Sequence, residues 1–261
     1  MLGKLFAWWR DRRQPAPIPD ALWRQTVAEL PFLAALDTDE EQRLRQLCAA
    51  FLTEKEFSAA GGLVLSDAIC VSVAAQGCLP ILEIGLNAYR GWLGIVVYPD
   101  QFLIPRQIED EYGVVHEYEE IAAGEAWHGG PLLISWRDVQ QAGSGYNVVI
   151  HEFAHKLDML NGEADGTPPL PDTLSRADWQ AVLQESYTDF CAWIDEAASQ
   201  GEEPFFDPYA AENHGEFFAV MSEAFFEAPQ ELLAEYPALY ANFATFYRQD
   251  PARRGLSTPA R

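Results

Sequence analysis

Residues 146–158, Tyr-Asn-Val-Val-Ile-His-Glu-Phe-Ala-His-Lys-Leu-Asp, decide the predicted fold and chemistry of this chain. His151 and His155 are four positions apart, so on a helix both imidazoles lie on one face and can reach one metal ion. Glu152 follows the first histidine, which places its carboxylate beside the open coordination position as a general base. With five histidines in 261 residues, a chance match to H-E-x-x-H is rare, and the nitrogen-rich pair favours zinc.

One protein ligand is still missing, because two histidines and a water leave a fourth position open. In the pattern H-E-x-x-H-x-x-G-x-x-H the third ligand comes two turns later, but Asp158 and Asn161 stand at the last two fixed positions. We therefore expect a glutamate on a later helix and choose Glu216. It lies in an otherwise apolar helix predicted over 214–227, where an unpaired carboxylate is costly.

Several polar residues near these ligands have alternative interpretations. Glu223 and Glu227 share a helix face with Glu216, so either could accept a hydrogen bond from a ligand histidine, or all three could face solvent. Asp158 is either a cap, a residue supporting a ligand, or a surface carboxylate. His214 has no assigned role, and a purely structural zinc closed by His214 as a further ligand is an alternative.

The order of predicted elements indicates an α+β fold of helices, then a small sheet, then helices. Thr38 and Glu41 resemble a capping box, and Ser66 caps a helix that closes at Gly77. The apolar runs at 79–84, 94–98 and 132–136 are predicted strands, and the later helices are placed at about 146–160, 175–199, 214–227 and 238–249. We expect one domain over 1–261, with a Pro-rich N-terminal segment at 1–19 and a loose polar tail at 250–261.

Composition excludes several classes of protein. Lys and Arg number 17 against 40 Asp and Glu, a net charge of −23, so direct nucleic-acid binding is not expected. The four cysteines lack close pairs or metal-type spacing, which favours a reducing cytoplasm. No window approaches the roughly 20 apolar residues of a transmembrane segment. The first 13 residues are interpreted as an amphipathic helix, either docked on the body or lying on a membrane surface.

The motifs at 151–158, 165–170 and 209–226 resemble the Mlc titration factor A family, and the similarity runs nearly end to end. This resemblance implies a bacterial zinc metallopeptidase with a zincin-like fold, mostly helical with a small mixed sheet beside the H-E-x-x-H helix. It further implies a relation to the anthrax lethal factor catalytic domain and aminopeptidase activity on peptide substrates. Binding to the repressor Mlc, which regulates a sugar-uptake gene, is also implied.

By the same resemblance, His151, His155 and Glu216 hold one Zn²⁺ per chain, Glu152 is the general base, and Tyr209 matches the family tyrosine. A phenol beside the metal can donate a hydrogen bond to the oxyanion of peptide hydrolysis, although Tyr209 could instead be a core aromatic. We expect residues 131–136 to form an edge strand that pairs with substrate. The alternative function is a non-catalytic protein that sequesters a repressor and carries a zinc site.

Overall fold

The computed structural model describes residues 15–109, 115–143, 145–201 and 204–254, and helices make up most of this part of the chain. In chain order the helices are α1 Asp20–Glu29, α2 Thr38–Glu54, α3 Asp67–Cys78, α4 Trp136–Val139, α5 Val148–Asp158, α6 Arg176–Gln200, α7 His214–Glu227, α8 Pro229–Glu235 and α9 Pro237–Tyr247.

The strands are β1 Glu56–Ala59, β2 Gly94–Tyr98, β3 Phe102–Glu109, β4 Val115–Ala122, β5 Gly124–Ala126 and β6 Leu132–Ser135. They form one small mixed sheet and a separate hairpin. Strands β1, β2 and β6 are parallel neighbours, and β5 pairs antiparallel with β6 at the sheet edge, giving the order β1-β2-β6-β5. Strands β3 and β4 pair only with each other in the described residues. The predicted α+β class, mostly helical with a small mixed sheet, is confirmed.

Helix α5 is anchored in the core by the side opposite its histidines. Phe153 is fully buried and its ring packs against those of Phe51, Tyr89 and Trp92, with centroids 5.0–5.8 Å apart. A Cβ at Gly77 of α3 would stand 2.6 Å from the Phe153 ring, so the glycine is what lets these two helices approach closely. The same buried cluster runs from Ala16 to Ala252.

The prediction of a strand at 79–84 is wrong. The segment is a series of tight turns in which the amide of Ile81 donates to the carbonyl of Cys78 and the amide of Gly85 donates to that of Ile81. Pro80 has no amide proton for a strand ladder. The run is apolar because it enters the core, where Leu79 and Ile81 are almost fully buried.

The prediction of an edge strand at 131–136 is also wrong. The strand Leu132–Ser135 lies inside the sheet, paired to β2 on one side and β5 on the other, and Trp136 already begins α4. All four residues of this strand are buried, because both of its faces and both of its edges are covered. The edge strands of this sheet are β1 and β5.

Three smaller expectations are corrected as well. The capping box of α2 is formed by Asp37 and Glu40, one residue before the predicted pair Thr38 and Glu41. The sequence favours a core position over a substrate platform for Trp127, Trp136, Trp179 and Trp193. In the structure Trp127 and Trp193 are exposed, whereas Trp179 is buried.

The predicted loose tail at 250–261 is ordered over its first part. Pro251 and Ala252 are buried, and Arg254 donates hydrogen bonds to Glu40 and Gln249. Residues 255–261, and the amphipathic helix predicted over the first 13 residues, lie outside the described residues. Among the helices that the structure describes, none is both long enough and apolar enough to cross a bilayer.

Candidate metal centre and substrate cleft

Three side chains from two helices converge on one point. His151 Nε2 lies 3.0 Å from Glu216 Oε2, His155 Nε2 lies 3.1 Å from the same oxygen, and the two Nε2 atoms are 3.2 Å apart. Helix α5 presents both imidazoles on one face, and Glu216 comes from the first turn of α7. The side chain of Asn213 caps that turn by accepting from the Glu216 amide. The structure thus brings together the three residues that the sequence selected.

The spacing of these donor atoms fits a divalent ion. A tetrahedral Zn²⁺ with bonds of about 2.0 Å holds its ligand atoms about 3.3 Å apart, close to the 3.0–3.2 Å found here. Two imidazole nitrogens and a carboxylate oxygen are also the donor set of many catalytic zinc sites. Among the described residues these three form the one group of histidine, cysteine and acidic side chains with metal-binding spacing.

Glu223 orients the first histidine. His151 Nδ1 donates to Glu223 Oε1 at 2.7 Å, and the backbone amide of Asn147 donates to the other carboxylate oxygen. Because the proton is on Nδ1, the lone pair of Nε2 points towards the other two donor atoms. Glu223 is 2% exposed, so the interpretation in which this side chain faces solvent is wrong.

Glu152 lies between α5 and the sheet edge. It is buried, and its Oε2 has no hydrogen-bond partner among the described residues. Burial raises the pKa of Glu152 to about 7, the two neighbouring imidazoles oppose the rise, and Glu216 and Glu125 add to it. A carboxylate with such a pKa in the metal-free site can exchange a proton near neutral pH.

Tyr209 contacts the donor cluster, whereas His214 contacts Gln184. Tyr209, in the short 3₁₀ helix Pro208–Ala211, is 48% exposed and its ring centroid is 6.1 Å from that of His151, so it is a cleft residue and not a core aromatic. Burial and the charge of Glu216 raise the pKa of Tyr209, which keeps the phenol protonated at neutral pH. His214 instead forms a hydrogen bond with Gln184 at 3.0 Å and lies outside the donor cluster. The alternative of a structural zinc site with His214 as a further ligand is therefore wrong.

Comparison with known proteins shows the family of this chain. The model of the glucose-regulated metallo-peptidase M90 family matches residues 6–248. The chain belongs to this family. Mlc titration factor A of Yersinia pestis (strain Pestoides F) is 35% identical over 253 residues, covering 96% of this chain and 92% of the relative. Mlc titration factor A of Yersinia pseudotuberculosis (serotype O:1b, strain IP 31758) gives the same identity and coverage.

In this M90 chain, Glu227 and Asn147 support the helix that carries the histidines through contacts that were not predicted from the sequence. Glu227 accepts hydrogen bonds from the amides of Gly143 and Gly145 and from the side chain of Asn147. Asn147 in turn caps the start of α5 by accepting from the amide of Ile150. An asparagine just before an apolar helix is a recognisable cap signal. Its link to Glu227 depends on tertiary packing and has no local signature.

Asp158 ties the end of the histidine helix to the start of the glutamate helix. It is fully buried, burial raises its pKa to about 7, and its Oδ2 accepts from the amide of Gly166 at 2.7 Å. A Cβ at Gly166 would stand 2.6 Å from the carbonyl oxygen of His214, and one at Gly215 would stand 2.5 Å from that of Ala164. The loop held by Asp158 is therefore packed directly against the turn that carries Glu216, and the interpretation of Asp158 as a surface carboxylate is wrong.

Lys156 holds the turn between β5 and β6. This buried ammonium donates to the carbonyl oxygens of Trp127 and Gly130 at 2.6 and 2.9 Å. Because Lys156 follows His155 directly, the helix that carries the donor atoms also fixes the strand at the sheet edge. Sequence reasoning missed this contact, since a lysine within an amphipathic helix is usually solvated.

Replacing Glu223 with glutamine is expected to weaken zinc binding about 10- to 100-fold. The amide keeps the shape but lacks the charge that orients His151 and raises its basicity. Competitive titration with a fluorescent zinc chelator measures the affinity. Glu231→Gln, which changes an exposed glutamate on α8, is the matched control, and an unchanged zinc affinity for Glu223→Gln contradicts the role assigned here.

Replacing Gly124 with alanine is expected to displace the Glu152 carboxylate. The new Cβ would stand 2.3 Å from Glu152 Oε1, and the backbone of β5 is fixed by its pairing with β6. A displacement of about 1 Å at a reacting group lowers kcat on the order of 100-fold. If the effect acts through Glu152, adding Gly124→Ala to Glu152→Gln causes no further loss; additive losses contradict the account.

Proposed function

We propose that this chain is a zinc-dependent peptidase with aminopeptidase activity. The observation that carries the proposal is the convergence of His151, His155 and Glu216, with Glu152 lining the same cavity. One carboxylate oxygen of Glu152 has no hydrogen-bond partner among the described residues. Membership of a metallopeptidase family supports it. When bound, Zn²⁺ polarises a water molecule and the scissile carbonyl group, and lowers the pKa of the water to about 7.

Glu152 is proposed as the proton carrier of the reaction. Its carboxylate takes a proton from the attacking water and then returns it to the nitrogen of the leaving amine. In the metal-free site, burial raises the pKa of Glu152 to about 7, within the range of a group that both accepts and donates a proton at neutral pH. One residue can therefore act first as base and then as acid within one catalytic cycle.

Tyr209 is proposed to stabilise the negative charge that develops on the carbonyl oxygen. Its phenol is protonated at neutral pH, borders the cavity and lies near His151, so it can donate a hydrogen bond to the oxyanion. The exposed fraction of Tyr209 leaves its ring accessible to a substrate from the solvent side.

Strand β5 takes the substrate-pairing role first expected of residues 131–136. It is one of the two edge strands of the sheet, and Gly124, Glu125 and Ala126 all line the cavity that contains His151 and Glu152. An extended peptide can add to such an edge through main-chain hydrogen bonds. This arrangement would present the scissile bond to Glu152, because Gly124 lies directly against that side chain.

Metal analysis combined with chromogenic amino-acid amides tests this proposal. The purified protein is expected to contain one Zn²⁺ per chain, to hydrolyse at least one amide, and to lose activity with 1,10-phenanthroline. Added Zn²⁺ should restore the activity of the chelated protein. A folded, zinc-loaded protein that hydrolyses neither amino-acid amides nor an internally quenched peptide library would refute the peptidase function.

A second function, binding of an Mlc-like transcriptional repressor, is proposed on a different observation. The relatives that cover nearly the whole chain carry the name Mlc titration factor A. The net charge of −23 suits a partner with a basic face, as DNA-binding proteins have. Through such binding the chain would regulate expression of a sugar-uptake gene without contacting DNA itself.

Binding and hydrolysis can be separated experimentally. If sequestration is independent of catalysis, Glu152→Gln and the zinc-free protein bind purified Mlc-like repressor as tightly as the wild type, measured by calorimetry. Loss of binding in both proteins would tie the partner to the peptidase site.

A cytoplasmic location is part of this proposal, and the four unpaired cysteines support it. The single domain over 1–261 stays a prediction.

A further inference from the structure

Trp127 is a large aromatic residue that lies exposed at the end of strand β5. Its side chain is 49% exposed, although tryptophan is on average a highly buried residue. It directly follows β5, whose residues Gly124, Glu125 and Ala126 all line the cavity of the metal centre. The exposed indole therefore stands next to the cleft, and hydrolysis itself does not use it.

The backbone of Trp127 is fixed on both sides of its Cα. Its amide donates to the carbonyl of Pro131 at 3.1 Å, and its carbonyl accepts from the amide of Gly130 at 3.0 Å. The same carbonyl accepts from the ammonium of Lys156 at 2.6 Å, and Lys156 follows His155 on α5. The residue is thus tied to the helix of the metal centre. Because an aromatic side chain has only two rotatable bonds, such a surface binds a partner at a low cost in conformational entropy.

Strand alternation places Trp127 on one face of β5 and Glu152 against the other. Residues two apart in a strand share a face, so Trp127 continues the face of Glu125. Gly124 and Ala126 form the opposite face, where a Cβ at Gly124 would stand 2.3 Å from Glu152 Oε1. A peptide that adds to the edge of β5 alternates in the same way. One of its side chains then lies beside the indole, because neighbouring residues of paired strands share a face.

The distance along β5 sets which substrate residue reaches Trp127. In the proposed binding mode the scissile bond lies beside Gly124, which packs against Glu152, and Trp127 is three residues further on. At 3.2–3.4 Å per residue the two positions are about 10 Å apart, a distance that an extended substrate also covers with three residues. An aminopeptidase substrate has a single residue on the amino side of the bond. The residue at Trp127 is therefore on the carboxyl side.

We propose that Trp127 is a specificity-determining residue that binds an apolar side chain about three residues beyond the scissile bond. This inference rests on the proposed peptidase function and names its substrate class, which is peptides of at least four residues with an apolar residue at that place. The face of an indole packs well against aliphatic and aromatic groups. Removing part of its exposed surface from water favours binding.

A binding measurement with hexaalanine amide and its single-phenylalanine variants tests this inference without turnover. In the zinc-loaded Glu152→Gln background, phenylalanine at one of the fourth and fifth residues, whichever faces the indole, is expected to tighten binding about 10-fold by calorimetry. Adding Trp127→Ala should bring the affinities for the alanine and phenylalanine peptides within about two-fold of each other. Trp127→Phe should keep most of the preference.

Kinetics separate this role from a structural one. Alanine p-nitroanilide is too short to reach Trp127 and serves as the reference substrate. For Trp127→Ala, the ratio of kcat/KM for the phenylalanine peptide to that for alanine p-nitroanilide should fall about 10-fold, through a higher KM for the peptide. A fall in kcat for both substrates with an unchanged ratio would mean that Trp127 only supports the fold of the cleft, and would overturn the inference.

Trp193→Ala is the matched control. Trp193 is likewise exposed, but it lies on α6 and lines a different cavity together with Phe205 and Tyr236. Removing this indole should leave the preference for the phenylalanine peptide at the wild-type level. If Trp193→Ala loses the preference as Trp127→Ala does, the effect is not specific to the end of β5 and the inference is overturned.

Peptides with arginine in place of phenylalanine identify the kind of side chain that Trp127 binds. If they bind more tightly than the phenylalanine peptides, the indole recognises a cation and the apolar assignment is overturned. If the wild type hydrolyses hexapeptides with no preference at the fourth or fifth residue, this inference fails and the peptidase function stands. If it hydrolyses none of these substrates, the proposed function fails first.

Discussion

Glu152→Gln is expected to lower kcat for amino-acid amides by about 10³-fold or more while the protein keeps its zinc. Glutamine has nearly the same shape, so the buried side chain should keep its place between α5 and β5. The amide cannot take a proton from water or return one to the leaving amine, and proton transfer by a positioned group contributes about 10²–10⁴-fold. Initial rates of amide hydrolysis and zinc content by mass spectrometry are the two measurements.

The matched control for this variant is Glu163→Gln, which alters a glutamate in the loop after α5 that is exposed and outside the cavity lining. It should retain both kcat and zinc. Turnover by Glu152→Gln close to that of the wild type contradicts the assignment of Glu152 as the proton carrier. Loss of zinc along with activity would mean that Glu152 supports the metal site instead.

Glu216→Ala is expected to weaken zinc binding on the order of 10²–10³-fold. Apparent zinc-binding energies of about 10–16 kcal/mol for four-ligand sites correspond to roughly 3 kcal/mol for each ligand. The fold should survive, because Glu216 is in the first turn of α7 and contacts the two histidines, whereas the core face of that helix is formed by other residues. Competitive chelator titration gives the affinity, and circular dichroism checks the fold.

Glu212→Ala is the control for this loss, since Glu212 is exposed just before α7. It should bind zinc as the wild type does. Full zinc retention by Glu216→Ala, with His151 and His155 intact, removes Glu216 from the ligand set. In that case His151 and His155 would bind zinc together with a different third ligand.

The donor residues could be selected from the sequence for two reasons. The spacing of the two histidines is a local feature, and an unpaired carboxylate in an apolar helix is energetically costly. The i, i+4 spacing of His151 and His155 places both rings on one face wherever the segment is helical. Glu216 stood out because its helix is otherwise apolar, and the structure shows that helix almost entirely buried. The helix predicted over 214–227 has the observed bounds His214–Glu227, since Asn213 caps one end and Pro229 follows the other.

The surroundings of the donor atoms were harder to predict because they depend on contacts between distant segments. Nothing near Gly124 in the sequence indicates that its missing side chain leaves room for Glu152. The short strand β5 has only three residues, too few for a periodic signal. The apolar run at 79–84 was misassigned for a related reason, because a buried turn and a buried strand have the same composition.

Anomalous diffraction from crystals of the zinc-loaded protein, measured on both sides of the zinc absorption edge, tests the central claim most directly. The account predicts one strong peak per chain, within about 2.0–2.2 Å of His151 Nε2, His155 Nε2 and a carboxylate oxygen of Glu216. A peak at any other position, or no peak between these three side chains in crystals that contain stoichiometric zinc, would contradict it.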